Sequence, residues 1–106
     1  MASESLRVIW SVWAMSDLKI IYDWILEKSL SKETAIRIRT KIIDRLSEIN
    51  FPEQYQTDEI LGFPYRRMFV GNYKIVYRPE KENTILIIRI FDTRQNPLKI
   101  QETKAE

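Results

Sequence analysis

Apolar and polar positions alternate most regularly between Phe63 and Pro97, and the two-residue period predicts three consecutive antiparallel strands there. The first runs from about Tyr65 to Val70 and turns at Gly71-Asn72. The second runs from about Tyr73 to Arg78. A loop from Pro79 to Asn83 leads into the third, about Thr84 to Phe91. Gly-Asn between two alternating runs is a specific hairpin signal, because two-residue hairpin turns need the positive φ that Gly and Asn tolerate.

That turn sets the register, and the register sorts the side chains. Val70 is expected opposite Tyr73, Met68 opposite Ile75 and Arg66 opposite Tyr77 on one side of the sheet. Phe69 is expected opposite Lys74, Arg67 opposite Val76 and Tyr65 opposite Arg78 on the other. A slip of one residue would exchange the two sets. The first side is mostly apolar, with Tyr73 and Tyr77 as core residues and Arg66 expected to pair with an acid at the sheet edge. The second interleaves Arg67, Lys74 and Arg78 with Tyr65 and Phe69, a mixture suited to phosphate, stacked bases or an acidic partner.

Upstream the period lengthens to that of a helix. Leu6 to Trp10 is β-branched and aromatic and reads as a strand. Ser11 is a candidate N-cap. Ala14, Leu18, Ile21, Tyr22 and Ile25 then recur at helical spacing, giving a helix from about Val12 to Lys28. Asp17 sits in its early turns, where an acid suits the positive helix end. Ser29-Leu30-Ser31 interrupts the pattern, and Ser31 can cap a second helix with Glu33 in its first turn. Its stripe is Ala35, Ile38, Ile42, Leu46 and Ile49, running to about Asn50. So short a link makes the two helices an antiparallel hairpin. Phe51 to Asp58 contains a proline, lacks periodicity and reads as a connector. The tail after Pro97 is polar at its end and is expected to dock weakly.

Strand, helix, helix and three strands make an α+β two-layer fold, with the helical hairpin on one face of an antiparallel sheet. The opposite face is expected to stay open to solvent or a partner. The first strand joins this sheet at an edge or between later strands. At 106 residues, 44% hydrophobic and 30% charged, the chain suits one domain with a single modest core.

Composition narrows the chemistry. Without cysteine there is no disulfide framework or thiolate metal site, and without histidine the commonest metal ligand and general base are missing. No cofactor is called for. No apolar run approaches the ~20 residues of a membrane span. Met1-Ala2-Ser3-Glu4 lacks the form of a signal peptide, so a cytoplasmic location is expected. The net charge of +2 says little, but its distribution says more. Between Tyr65 and Lys99 the cations Arg66, Arg67, Lys74, Arg78, Lys81, Arg89, Arg94 and Lys99 face only Glu80, Glu82 and Asp92. Such a field steers anionic partners. Asp92 and Arg94 can also form a local ion pair, with Asn96-Pro97 as a turn.

The order of elements resembles the RelE/ParE toxin superfamily. So do Tyr65-Arg66-Arg67, the hairpin from Val70 to Arg78, and the apolar run Ile85 to Ile90 followed by Phe91-Asp92-Thr93-Arg94-Gln95-Asn96-Pro97. The resemblance covers nearly the whole chain and implies the toxin of a type II toxin–antitoxin pair, held inactive by a cognate antitoxin. One branch of the superfamily, like RelE, cleaves messenger RNA on the ribosome; the other, like ParE, inhibits DNA gyrase. The Phe91-to-Pro97 segment looks more like sequences grouped with ParE or called plasmid-stabilisation proteins. On the RelE alternative, Arg67 and Lys74 match basic catalytic positions and Arg94 approximately matches the arginine after the last strand. Tyr65 stands where such a nuclease carries a further lysine. Leu98, Lys99 and Ile100 occupy the region of its C-terminal tyrosine. On either reading, Tyr65, Phe69 and Arg78 are expected to contact the target or the antitoxin. A member that only binds its antitoxin is the third alternative.

Overall fold

The computed structural model describes residues 5–94. Its elements are β1 (Arg7–Trp10), α1 (Val12–Ser29), α2 (Lys32–Leu46), β2 (Arg66–Val70), β3 (Tyr73–Glu80) and β4 (Thr84–Asp92). The turn expected at Asn96-Pro97 and the tail beyond it lie outside the described residues. Among the described residues no helix is long and apolar enough to cross a membrane.

The four strands form one mixed sheet in the order β1-β4-β3-β2. β2, β3 and β4 make the antiparallel meander, and the β2–β3 register pairs Val70 with Tyr73 through Arg66 with Tyr77, as the alternation predicts. At the turn only Gly71 takes a positive φ, at 57°, so glycine meets the conformational demand alone. β3 extends past the predicted end and includes Pro79, paired with Ile85. By that point β2 has ended, so β3 is an edge strand, where a missing N–H is tolerated.

β1 takes the outer position beside β4 and runs parallel to it, from Arg7 opposite Thr84 to Trp10 opposite Ile87. β1 stops there, and α1 serves the rest of the β4 edge. Ser11 Oγ accepts the Ala14 N–H at 3.0 Å as N-cap and donates to the Ile88 carbonyl at 2.8 Å. Asp17 accepts the Ile90 N–H at 2.9 Å and holds Arg89 at 2.7 and 3.1 Å. Asp17 therefore binds a strand edge, although the sequence suggested a role at the helix end. α2 starts on its Ser31 cap, and its helical stretch ends at Leu46, a turn earlier than expected.

The main core lies between the helices and the sheet. Ala14, Ile25, Ala35, Ile42 and Leu46 meet Met68, Val70, Ile75, Tyr77, Ile85, Ile87 and Ile90. The opposite face departs from expectation: the segment between α2 and β2 folds across part of it. Leu61, Val76 and Phe91 form a second small buried cluster there, with Ile60, Tyr65 and Ile88 against it. This connector is anchored at both ends. The Tyr77 hydroxyl, beneath the helix side of the sheet, donates to the Pro52 carbonyl at 2.9 Å. Gln56 and Asp58 exchange backbone bonds with Arg67 and Tyr65 along the outer edge of β2.

Candidate functional site

Arg67 on β2 and Lys74 on β3 project from the same side of the sheet, as their register requires. Lys74 is not open to solvent, however. Only 3% of it is exposed, because the connector lies over it. A buried ammonium needs a partner, and the connector supplies two. Lys74 is ion-paired with the fully buried Asp58, and its Nζ lies 3.1 Å from Glu59 Oε1. The other Glu59 oxygen lies 3.1 Å from Arg67 Nε, so one carboxylate spans both cations. Arg67 also donates to Gln56 Oε1 at 3.0 Å.

Local geometry explains why Asp58 sits there. Its Oδ2 accepts the backbone N–H groups of Ile60 at 3.0 Å and Leu61 at 2.7 Å, capping the tight turn that delivers Leu61 to Val76 and Phe91. The turn closes at Gly62, whose φ is +72° and whose N–H returns to the Asp58 carbonyl at 2.8 Å. Glu59 follows on the outer side. Partial burial works against its charge, but hydrogen bonds from its own backbone, Arg67 and Lys74 outweigh that and hold its carboxyl at about 2.

Arg94 belongs to a different place. It bonds Asp92 at 2.7 and 2.8 Å, forming the local ion pair the sequence suggested, and its guanidinium lies 5.8 Å from the centre of the Trp24 ring on α1. Tyr73, on the helix side of the sheet, shares that cleft. The three cations matched to a nuclease are thus split. Arg67 and Lys74 meet under the connector, while Arg94 lies against α1. Phe69 remains 43% exposed, with the Arg67 guanidinium 5.0 Å from its ring centre. Arg78 pairs with Glu80 at 2.8 Å and neighbours Tyr65. Arg66 donates to the Tyr55 carbonyl at 2.6 Å, so a backbone carbonyl takes the place of the expected acid.

Among the described residues, α1 carries more exposed large apolar side chains than any other element. Val12, Trp13, Met15, Ile20 and Trp24 all face outward. Clefts run along both flanks of this helix. One, of about 390 Å³, lies between Ile20, Ile21, Trp24, Tyr73, Asp92 and Arg94. The other, of about 380 Å³, is lined by Trp10, Met15, Leu18, Lys19, Tyr22, Arg39 and Ile43.

The residues that sequence reasoning missed are Gln56, Asp58 and Glu59. One signal was present: an aspartate four residues before a glycine, in a connector leading to a strand, is turn chemistry.

Strand, helical hairpin and meander, with a mixed sheet covered by helices on one side, place the protein in an α+β class of definite topology. Within that class, the family model for the ParE toxin of type II toxin–antitoxin systems (parDE) matches residues 8–97, and the chain belongs to this family. Among solved structures, a chain of the chromosomal ParDE toxin–antitoxin system from P. aeruginosa is similar in fold. Its TM-score is 0.68 at 20% identity, over 85% of this chain and 98% of that one. No curated protein matches in sequence.

Proposed function

We propose that this toxin stops growth by binding, with DNA gyrase as its target, and that a cognate antitoxin neutralises it. The observation that carries the reading is the separation of the cations. Ribonuclease chemistry without histidine relies on several fixed cations around one phosphate. Here Lys74 is buried against Asp58, Arg67 is engaged by Glu59 and Gln56, and Arg94 is bound to Asp92 beside α1. The exposed rings and aliphatic side chains of α1 offer what protein association needs, since apolar patches of this kind mark docking surfaces. The antitoxin is expected to bring an acidic and apolar segment that folds as it binds against the helices and sheet.

The test is supercoiling of relaxed plasmid by purified gyrase. Added toxin is expected to block it, and co-purified antitoxin to restore it. Full supercoiling at a large molar excess of toxin would overturn the proposal. So would A-site cleavage on translating ribosomes that Arg67→Ala abolishes, because that result assigns the ribonuclease mechanism.

A further inference from the structure

A strand edge offers unpaired backbone N–H and C=O groups, and most edges of this sheet are closed. The connector covers β2: the Asp58 N–H donates to the Tyr65 carbonyl at 2.7 Å and the Arg67 N–H to the Gln56 carbonyl at 3.1 Å. Ser11 and Asp17 occupy the β4 edge at Ile88 and Ile90, beyond the end of β1. The end of β3 that outruns β2 carries Pro79. Among the described residues, the outer edge of β1 has no such cover. Its parallel ladder takes the Arg7 N–H to the Asn83 carbonyl and the Ser11 N–H to the Ile87 carbonyl. The alternate residues Val8 and Trp10 therefore turn their backbone groups outward. We propose that this edge pairs, antiparallel, with β1 of a second copy of the chain, on a two-fold axis at Val8.

The alternation of the strand suits a second copy. An isologous antiparallel pair sets residues of one face opposite each other. With Val8 on the axis, the two Val8 residues exchange their outward groups, Leu6 lies opposite Trp10, and Arg7 lies opposite Ile9. No like charges are directly opposed. A cleft flanks the edge on each face of the sheet, ready for the alternate side chains of an added strand. On the helix side one of about 500 Å³ lies between Leu6, Val8, Leu46 and Ile49, and the partner's Trp10 enters there. On the far side one of about 590 Å³ is lined by Arg7, Ile9, Leu86, Glu80 and Glu82, so acids stand near the two Arg7 side chains that the axis brings together. Val8 is 37% and Ile9 45% exposed, so pairing also removes apolar surface from water. Area sets the strength. Five residues make an edge about 17 Å long, and with side chains on both faces it buries about 400 Å² per chain, roughly half of a standard interface. The dimer is thus reversible, with a Kd on the order of 100 µM. The edge is distinct from the apolar surface of α1, and its pairing does not depend on gyrase as target.

The experiment is sedimentation equilibrium of the full chain, from well below to well above that concentration. The average mass is expected to rise from one chain towards two. Val8→Lys sets two like charges opposite each other on the axis and is expected to weaken association roughly tenfold. Val8→Pro removes an outward N–H while leaving the ladder to β4 in place, and is expected to weaken it as well. Ile20→Lys adds the same charge to the exposed surface of α1 and is expected to leave association unchanged. Nuclear Overhauser contacts between a labelled and an unlabelled chain report the register: the α-protons of Arg7 and Ile9 should meet across the axis. A chain that stays monomeric throughout, a dimer that survives both Val8 variants, or one lost in Ile20→Lys would overturn the proposal. So would protection of the Val8 amide that appears only when co-purified antitoxin is present, because that result assigns the edge to the antitoxin.

Discussion

The two faces of the sheet are buried by different physics. Towards the helices, Met68, Ile75, Tyr77, Ile85 and Ile87 pack on Ala14, Ala35 and Ile42, and the interaction is area removed from water. Towards the connector, the apolar cluster is only Leu61, Val76 and Phe91 with its neighbours, and next to it an ion pair is taken out of solvent. A hydrophobic contact tolerates small errors in placement. A buried pair does not, since its stabilisation depends on both charges being present. The helix face therefore determines that the chain folds, and the connector face determines where one loop lies.

The strongest way to break this contrast is Asp58→Ala. It leaves Lys74 with only the exposed Glu59 and deprives Ile60 and Leu61 of their acceptor. Loss of one partner from a buried pair costs about 3–5 kcal/mol, and urea denaturation should register that fall. A loss below about 1 kcal/mol would mean that the connector is held by its apolar residues and that the ion pair is incidental.

Asp17→Ala probes a less buried acid and should cost less. Asp17 accepts the Ile90 N–H and pairs with Arg89 where β1 no longer reaches the β4 edge. Removing an acceptor from a backbone N–H, together with a charge-assisted bond, costs about 2 kcal/mol. Amide exchange gives the sharper readout. The Ile90 amide should lose protection, while Ile75 in the middle of the sheet keeps its protection relative to global stability. Equal loss at both would mark Asp17 as a general stabiliser with no specific hold on the edge.

The same contrast explains what could be read in advance. The helix face was legible because burial there follows periodicity: Ala14, Ile25, Ala35 and Ile42 fall on the predicted stripes, and Gly71 phases Met68, Ile75 and Tyr77 inward. Placing Arg67 and Lys74 on one side followed from the same turn. What covers that side did not follow, because the Asp58 turn has no period and its contacts are non-local in sequence. Lys74 and Glu59 lie fifteen positions apart, and Asp17 and Arg89 lie seventy-two apart. An acid that far along the chain from its cation looks like any surface charge until backbone geometry brings them together. β1 was ambiguous for a related reason: a short apolar strand carries no label for the strand it will join.

The smallest expected effect separates Glu59 from Asp58 through pH. The Glu59 carboxyl is held at about 2, against an ordinary value of 4.5. A depressed carboxyl contributes stability that is complete above its unfolded value and is lost as pH falls through the folded one. The contribution should thus be full at pH 7, begin to fade near 4.5 and be gone once pH passes below about 2. More than half of the side chain is exposed, so screening reduces its worth to about 0.5–1 kcal/mol. Comparing Glu59→Gln with the unaltered chain isolates this contribution, because Asp92, whose carboxyl Arg94 also holds low, titrates in both and cancels. The stability gap between the two chains should be widest near neutral pH and close towards pH 2. It should also shrink as salt is raised, as expected of a pair reachable by ions. A gap that ignores both pH and salt would assign Glu59 to packing, leaving the buried Asp58–Lys74 pair as the remaining ion pair between connector and sheet among the described residues.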